Sequence, residues 1–185
     1  NTAKVGVPTA YTLPNADGSA NQVLKTDGSG SLSWIANSGG GGATSITGLS
    51  DALVEDNSIY VGNDPSSTTS TAIRNVAVGV AALDAITTGD SNVAVGYSAL
   101  LKNTTGEKNT ALGATALYNN TTGKNNTASG ASALVTNTTG SSNMASGVNA
   151  LSSNTTGSSN IAVGTNAGDV ITAGSNNVII GDNAD

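Results

Sequence analysis

The sequence predicts an all-β fold, a parallel β-solenoid or β-roll built from stacked coils that each span one seventeen-residue repeat. The first observation is the motif Asn-x-Ala-x-Gly, which recurs at a constant interval from Asn75 through Asn92 and ends in a partial copy at Asn177. A short, fixed period means that each repeat buries its apolar face only by stacking on its neighbours. The second observation is that the recurring apolar residues are small, which predicts a thin core repeated many times. Six full coils at the inter-strand spacing would form a rod about 30 Å long.

Positions in the repeat are numbered 0 to 16 from its asparagine. Asparagine at position 0 and glycine at position 4 occur in all seven copies. Stacked at the strand spacing, these asparagines are predicted to form a ladder of side-chain amides, each bonding to the next. The predicted structural ladder comprises Asn75, Asn92, Asn109, Asn126, Asn143, Asn160, Asn177, Gly79, Gly96, Gly113, Gly130, Gly147, Gly164 and Gly181.

Each repeat is predicted to begin with a strand and to return through turns. Val76-Ala77-Val78 is rich in β-branched residues and ends at Gly79, which predicts a strand followed by a tight corner. Positions 1 and 3 share one face and position 2 has the other, and either face could be the packed one. The Ala-Leu pair at positions 7 and 8 is the second buried point, on a short strand or a single helical turn. Thr-Thr-Gly at positions 12 to 14 closes the coil, with the glycine expected to supply a positive φ.

Composition excludes several classes of function. The chain has 185 residues, with no Phe and one Trp, and only 10% are charged, against about a quarter in typical domains. It has no Cys and no His, which removes disulfides, thiolate metal sites and the commonest general base. We therefore expect no metal and no cofactor. The net charge of −6 predicts no nucleic-acid partner, and the absence of a long apolar run predicts no membrane insertion.

The N-terminal part of the chain differs from the repeats. A strand-like run, Gln22–Thr26, and the alternating Ser31–Trp34 flank an Asp-Gly sequence, which predicts a β-hairpin. Residues 46–54 could form a short helix or a strand, and residues 57–62 anticipate the repeat motif. The predicted segments are an N-terminal β-hairpin shaft or attachment segment (1–37), a glycine-rich linker (38–43), a transition with a degenerate first coil (44–74) and the repeat solenoid (75–185).

Charged residues within the six full repeats occupy only positions 9, 10, 15 and 16, which we predict face solvent. They are Asp84, Asp90, Lys102, Glu107, Lys108, Lys124 and Asp169. A coil with a core of Val, Ala and Leu buries little surface per residue. Sharing a core among several chains is the simplest remedy, so we predict a parallel homotrimer, with its chains intertwined or side by side.

The repeats resemble those of bacteriophage tail fibres and fibre-like proteins, as in Asn92-Val-Ala-Val-Gly-Tyr-Ser-Ala-Leu followed by Asn103-Thr-Thr-Gly. The Asn-Val-Ala-Val-Gly core is also similar to the head repeat of trimeric autotransporter adhesins, which form trimeric parallel β-rolls, although that repeat is shorter. Residues 11–34 resemble a shaft motif of phage fibres.

The resemblance implies a structural protein of a phage tail, located in the virion, whose trimeric rod positions or forms a host-attachment surface. The implied partners are further copies of the chain, other tail or baseplate proteins, and a host cell-surface glycan or protein. The alternative is a bacterial surface adhesin or extracellular filament subunit, at the cell surface.

An enzymatic role is not expected, because no position of the repeat collects catalytic groups. Paired carboxylates could hydrolyse glycans, and the candidates are Asp51, Glu55 and Asp56, or Asp84 with Asp90. The first group is interpreted as a solvated surface and the second as outer turns. Tyr97 and Tyr118 could stack on a sugar ring, but packing is the preferred interpretation. The asparagines of the Asn-x-Thr sequences, such as Asn103, are interpreted as turn residues rather than glycan acceptors.

Overall fold

The computed structural model describes residues 14, 22–26, 29, 31–36, 52–55, 57–62 and 71–185. The chain divides into two compact units, Asn1–Gly48 and Leu49–Asp185. The glycine-rich linker predicted at 38–43 lies outside the described residues. Within the described residues every regular element is a β-strand, which confirms the all-β prediction.

The first unit contains a two-stranded antiparallel hairpin. Its strands are β1 (Gln22–Thr26) and β2 (Leu32–Ala36), with Thr26 opposite Leu32 at the turn end. Leu24 and Trp34 lie opposite each other, and both side chains are partly exposed. The hairpin predicted from alternation around an Asp-Gly sequence is therefore present.

The second unit is built on one sheet of nine strands in sequence order. The first two strands pair antiparallel, and every later pair is parallel and shifted by one repeat, as in Val76 opposite Val93. Eight parallel strands, one from each successive coil, confirm the predicted β-solenoid. The strands are β3 (Ala52–Glu55), β4 (Ser58–Val61), β5 (Val76–Val78), β6 (Val93–Val95), β7 (Thr110–Leu112), β8 (Thr127–Ser129), β9 (Met144–Ser146), β10 (Ile161–Val163) and β11 (Val178–Ile180).

Each coil begins at its position-0 asparagine, directly before its strand. Coils 1 to 6 are residues 75–91, 92–108, 109–125, 126–142, 143–159 and 160–176, and the partial coil 7 is 177–185. Strand β4 lies one repeat before β5 and pairs with it, so Ser58 takes the place of the position-0 asparagine. Of the segment 46–54, the part that the structure describes is the start of strand β3.

The alanine face of each strand is the packed one. The position-2 alanines of coils 1 to 6 are fully buried, whereas the residues at positions 1 and 3 point outward and are exposed or half-buried. The interior takes these alanines, the position-7 alanines and the position-8 leucines. The inward files are Ala77, Ala94, Ala111, Ala128, Ala145 and Ala162; Ala82, Ala99, Ala116, Ala133, Ala150 and Ala167; and Leu83, Leu100, Leu117, Leu134 and Leu151.

The leucines at position 8 belong to a turn. Their φ values are 51–54°, in the left-handed region that a bulky residue rarely adopts. The prediction of a short strand or helical turn at positions 7 and 8 is therefore wrong. A strand would direct the two side chains to opposite faces, whereas this turn allows both the alanine and the leucine to enter the core. Non-glycine residues at positions 6 and 16 are also left-handed, as at Thr115 and Asn125.

The glycines at position 14 serve close packing between coils. None has a positive φ, so the prediction that they supply one is wrong. A Cβ added at Gly106 would lie 2.5 Å from the carbonyl oxygen of Gly123 and against Asn103 Oδ1. Only glycine fits because successive backbones stack directly at this corner. The position-4 glycines do have positive φ, between 134° and 144°.

Coil 6 keeps its core filled although it lacks the leucine at position 8. A Cβ at Gly168 would lie 3.1 Å from Leu151 Cδ2, 3.2 Å from Ile179 Cδ1 and 3.5 Å from Ile171 Cδ1. Two isoleucines therefore fill the volume that a leucine occupies in coils 1 to 5. At the other end of the core, the fully buried Tyr60 takes the place of the position-2 alanine.

Candidate functional site

The position-0 asparagines form a buried ladder along the solenoid. The Oδ1 of each accepts the backbone N–H of the asparagine one coil later, at 2.8–3.0 Å over six successive steps from Asn75 to Asn177. Each Nδ2 from Asn75 to Asn160 donates to the carbonyl of the position-14 glycine of its own repeat, at 2.7–2.9 Å. The Oγ of Ser58 starts the ladder by accepting the N–H of Asn75 at 2.9 Å.

The donor in this ladder differs from the one that the sequence predicted. Side-chain amides were expected to bond one another, but the regular donor is the backbone N–H. Direct amide-to-amide bonds accompany it at three steps, between Asn92 and Asn75, Asn143 and Asn126, and Asn177 and Asn160. The backbone N–H is in a fixed position, so its acceptor must recur at the same place in each coil.

A second amide ladder runs at position 11. Asn120 Nδ2 donates to Asn103 Oδ1 at 2.8 Å, Asn137 Nδ2 to Asn120 Oδ1 at 2.8 Å, and Asn154 Nδ2 to Asn137 Oδ1 at 2.9 Å. These four side chains are fully buried, which leaves no room for a glycan. The sequence pattern predicts them only as turn residues. Their recurrence at a fixed position was the signal that could have found the ladder.

The two ladders meet at the position-14 glycine carbonyls. The Gly106 oxygen accepts from Asn92 Nδ2 and from Asn103 Nδ2, both at 2.9 Å. The same pair of bonds is made at Gly123, Gly140 and Gly157. We call these two asparagine files and the glycine carbonyls between them the polar spine. A buried network of this kind favours one arrangement of the chain, since each displaced group loses several partners at once.

The position-11 ladder ends where isoleucine replaces asparagine. Ile171 follows Asn154 by one coil, and among the described residues none donates to the buried Asn154 Oδ1. Ile86 occupies the same position before Asn103. The polar spine is therefore double only from coil 2 to coil 5, and the position-0 ladder alone continues on both sides.

The outward side of the parallel strands carries the larger apolar side chains. We call positions 1 and 3 of β5 to β11 the sheet face. No charged side chain occurs on it, and residues 71–185 are all described. Val80 and Tyr97, at position 5 beside it, are 64% and 63% exposed. The sheet face comprises Val76, Val78, Val93, Val95, Thr110, Leu112, Thr127, Ser129, Met144, Ser146, Ile161, Val163, Val178 and Ile180.

The charged residues of the repeats lie away from the core, and each is exposed or half-buried. The ammonium of Lys124 donates to Glu107 Oε1 at 2.9 Å. This hydrogen bond, with the positive charge of the same ammonium, lowers the pKa of Glu107. Lys102 lies 5.2 Å from the ring centroid of the half-buried Tyr118, a cation–π distance.

Of the candidate carboxylates, the structure describes the side chains of Asp84 and Asp90. Asp90 accepts the N–H of Ile73 at 2.9 Å and lies 3.9 Å from Arg74, so it has a structural role. Asp51 and Asp56 lie outside the described residues, as does the side chain of Glu55. No group of three or more His, Cys, Asp or Glu that could hold a metal ion occurs in the part of the chain that the structure describes. In that same part, no helix is long and apolar enough to cross a membrane.

The coil stacking, the polar spine and the sheet face together define the class of this protein, a β-solenoid repeat protein. Compared with models of protein families, with curated proteins and with solved structures, the chain gives no significant match.

Proposed function

We propose that this chain is the rod of a bacteriophage tail fibre and works as a parallel homotrimer. The observation that carries the proposal is the distribution of apolar volume. The interior of the coils holds mainly alanine, leucine and asparagine with a few isoleucines, whereas the valines, isoleucines and leucine of the sheet face point outward. In a monomer these outward apolar side chains have no cover, and exposed apolar patches are typical of protein–protein interfaces.

The proposed role is mechanical. Neighbouring coils are joined by the hydrogen bonds between strands and by the polar spine. Bending the rod would stretch hydrogen bonds between coils on its outer side and compress backbone contacts on its inner side. At the position-14 glycines the backbones of successive coils are already in close contact, so they resist compression. A rod of this construction transmits force along its axis and holds a binding tip at a distance from the particle.

The virion partners and host receptor belong to the proposal. Tail or baseplate proteins would attach the rod, and a host glycan or protein would be met by its exposed surface. Low charge density along the repeats supports a role in which the rod avoids nonspecific ionic contacts. The proposal includes no catalytic step.

The test is the mass and shape of the purified chain. Light scattering and sedimentation are expected to give three times the chain mass of 17.8 kDa and an elongated particle. Val95→Asp places a charge on the sheet face and is expected to shift the mass to that of a monomer, whereas Lys102→Asp, at an exposed position outside the sheet face, is expected to leave it unchanged. A monomeric wild-type chain would refute the trimer. A tail or baseplate gene beside the coding sequence would support the phage assignment, whereas a membrane-barrel anchor encoded in the same gene would favour the adhesin.

A further inference from the structure

Among the described residues of the solenoid, one strand pair is local in the chain. Strand β3 pairs antiparallel with β4, and Glu55 lies opposite Ser58. Two residues separate these strands, and one of them, Asn57, has a φ of 59°, the left-handed conformation that two-residue hairpin turns require. At the parallel pairs of the same sheet the partners are one full repeat apart, as in Ile59 opposite Val76.

This difference in separation decides where strand pairing starts. Closing a flexible loop becomes rarer as the loop lengthens, roughly with the three-halves power of its length. The connection between two parallel strands of the stack therefore closes about twentyfold less often than the two-residue connection between β3 and β4. A parallel pair formed elsewhere would also have to order two whole coils before either had a folded neighbour.

The β3–β4 pair also carries the contacts that hold the first coil. Tyr60 in β4 is the largest of the fully buried side chains. Ser58 Oγ accepts the N–H of Asn75 at 2.9 Å, and the Asn75 carbonyl accepts the N–H of Ile59 at 2.8 Å. Coil 2 docks on coil 1 in the same way, with the N–H of Asn92 donating to Asn75 Oδ1 at 2.8 Å. Each folded coil therefore offers the next one the edge that β4 offers to coil 1.

We infer that β3 and β4 form the template on which the solenoid folds, and that the coils add in order from coil 1 to coil 7. A coil that meets an existing edge orders only its own residues, so growth from the template is easier than a second start. This order is also the one in which the chain leaves the ribosome. It holds whether the rod contains one chain or three.

One substitution made at three heights tests the order. Ala77, Ala111 and Ala162 occupy position 2 of coils 1, 3 and 6, and all three are fully buried. Each is changed to glycine, which removes a methyl group and loosens the strand. Folding and unfolding rates are measured by stopped-flow circular dichroism, in the phase that does not depend on protein concentration.

The expected rates follow from which coils are folded in the transition state. Ala77→Gly is expected to slow folding by about threefold or more. Ala162→Gly is expected to leave the folding rate within about 1.5-fold of wild type and to accelerate unfolding instead. Ala111→Gly is expected to lie between them. Equal slowing by all three variants, or the largest slowing by Ala162→Gly, would overturn the order.

A second pair of variants tests the hairpin itself. Asn57 and Asn125 are both exposed, with φ values of 59° and 58°, and a β-branched residue is disfavoured in that conformation. Asn57→Val is expected to slow folding by about fivefold, whereas Asn125→Val, the matched control in coil 3, is expected mainly to accelerate unfolding. Equal slowing by the two variants would overturn the role of the β3–β4 pair as template. The mass of the rod, which tests the proposed function, is measured separately and is not expected to change.

Discussion

Substitution of Asn109 tests how far the position-0 ladder stabilises the solenoid. Its Oδ1 accepts the buried N–H of Asn126 at 2.9 Å, and its Nδ2 donates to the Gly123 oxygen at 2.8 Å. Asn109→Ala removes both bonds and leaves that N–H without its acceptor. An orphaned buried N–H costs about 1–3 kcal/mol, a lost neutral hydrogen bond about 1 kcal/mol, and the vacated volume adds to this. We expect a total of about 3–4 kcal/mol.

Asn120→Ala is the matched comparison, because Asn120 is equally buried and bonds to the same glycine. It loses its bonds with the Asn103 and Asn137 side chains and its own bond to the Gly123 oxygen, but it leaves no backbone N–H without an acceptor, and the Gly123 oxygen keeps its bond from Asn109. Side-chain amides can rotate toward other partners and the backbone cannot, so we expect a smaller loss of about 2 kcal/mol. The occurrence of isoleucine at position 11 in two coils agrees with this order.

Asn109→Ser provides the internal rescue. Ser58 already accepts the N–H of Asn75 through its hydroxyl, so a serine is expected to restore the acceptor but not the donor to Gly123. The expected loss is about 1–2 kcal/mol, between wild type and Asn109→Ala. Urea unfolding followed by circular dichroism, at one protein concentration, gives the three free energies. The reasoning is refuted if Asn109→Ala costs no more than Asn120→Ala, or if serine is no better than alanine.

Three further predictions concern single positions. Gly106→Ala is expected to lower the free energy of unfolding in urea by about 3 kcal/mol, since its Cβ would lie 2.5 Å from the carbonyl oxygen of Gly123. Gly174→Ala, whose Cβ would have its nearest contact at 3.1 Å, is expected to lower it by less than about 1 kcal/mol. Equal losses would contradict this account. Thr115→Asn is expected to stabilise by about 0.5 kcal/mol, because asparagine tolerates the φ of 56° better than a β-branched residue; a lower melting temperature would count against it. Lys124→Gln is expected to raise the pKa of Glu107 toward its ordinary 4.5 in an NMR titration, and an unchanged pKa would disprove the contact. Because the folded-state pKa is lowered, this contact stabilises fully above pH 4.5 and is lost as the pH falls through the lower value.

Where the predictions from the sequence are wrong, a contact within the stack of coils decides the conformation. The glycine of Thr-Thr-Gly was assigned a positive φ because glycine in a turn commonly has one. Its real constraint is the carbonyl of the next coil, which no local pattern reveals. The left-handed leucines were missed for the opposite reason, since leucine has no turn preference and only the packing of Leu117 and its equivalents requires that backbone. The position-11 asparagines were correctly associated with a turn, but their stacking partners lie one full repeat away in the chain.

The sequence by itself determined the period, the strand at positions 1 to 3, the all-β class and the solvent-facing positions of the charges. Those features are encoded in residue type and spacing, which repeat without reference to any neighbour in space. Only the tertiary structure decided that alanine faces inward and the larger valine and isoleucine side chains outward. The alternation of a strand offers both faces equally, and the way the coil closes on itself makes the choice. The polar spine was decided at the same level, because a buried amide is tolerated only where the neighbouring coil supplies its partner.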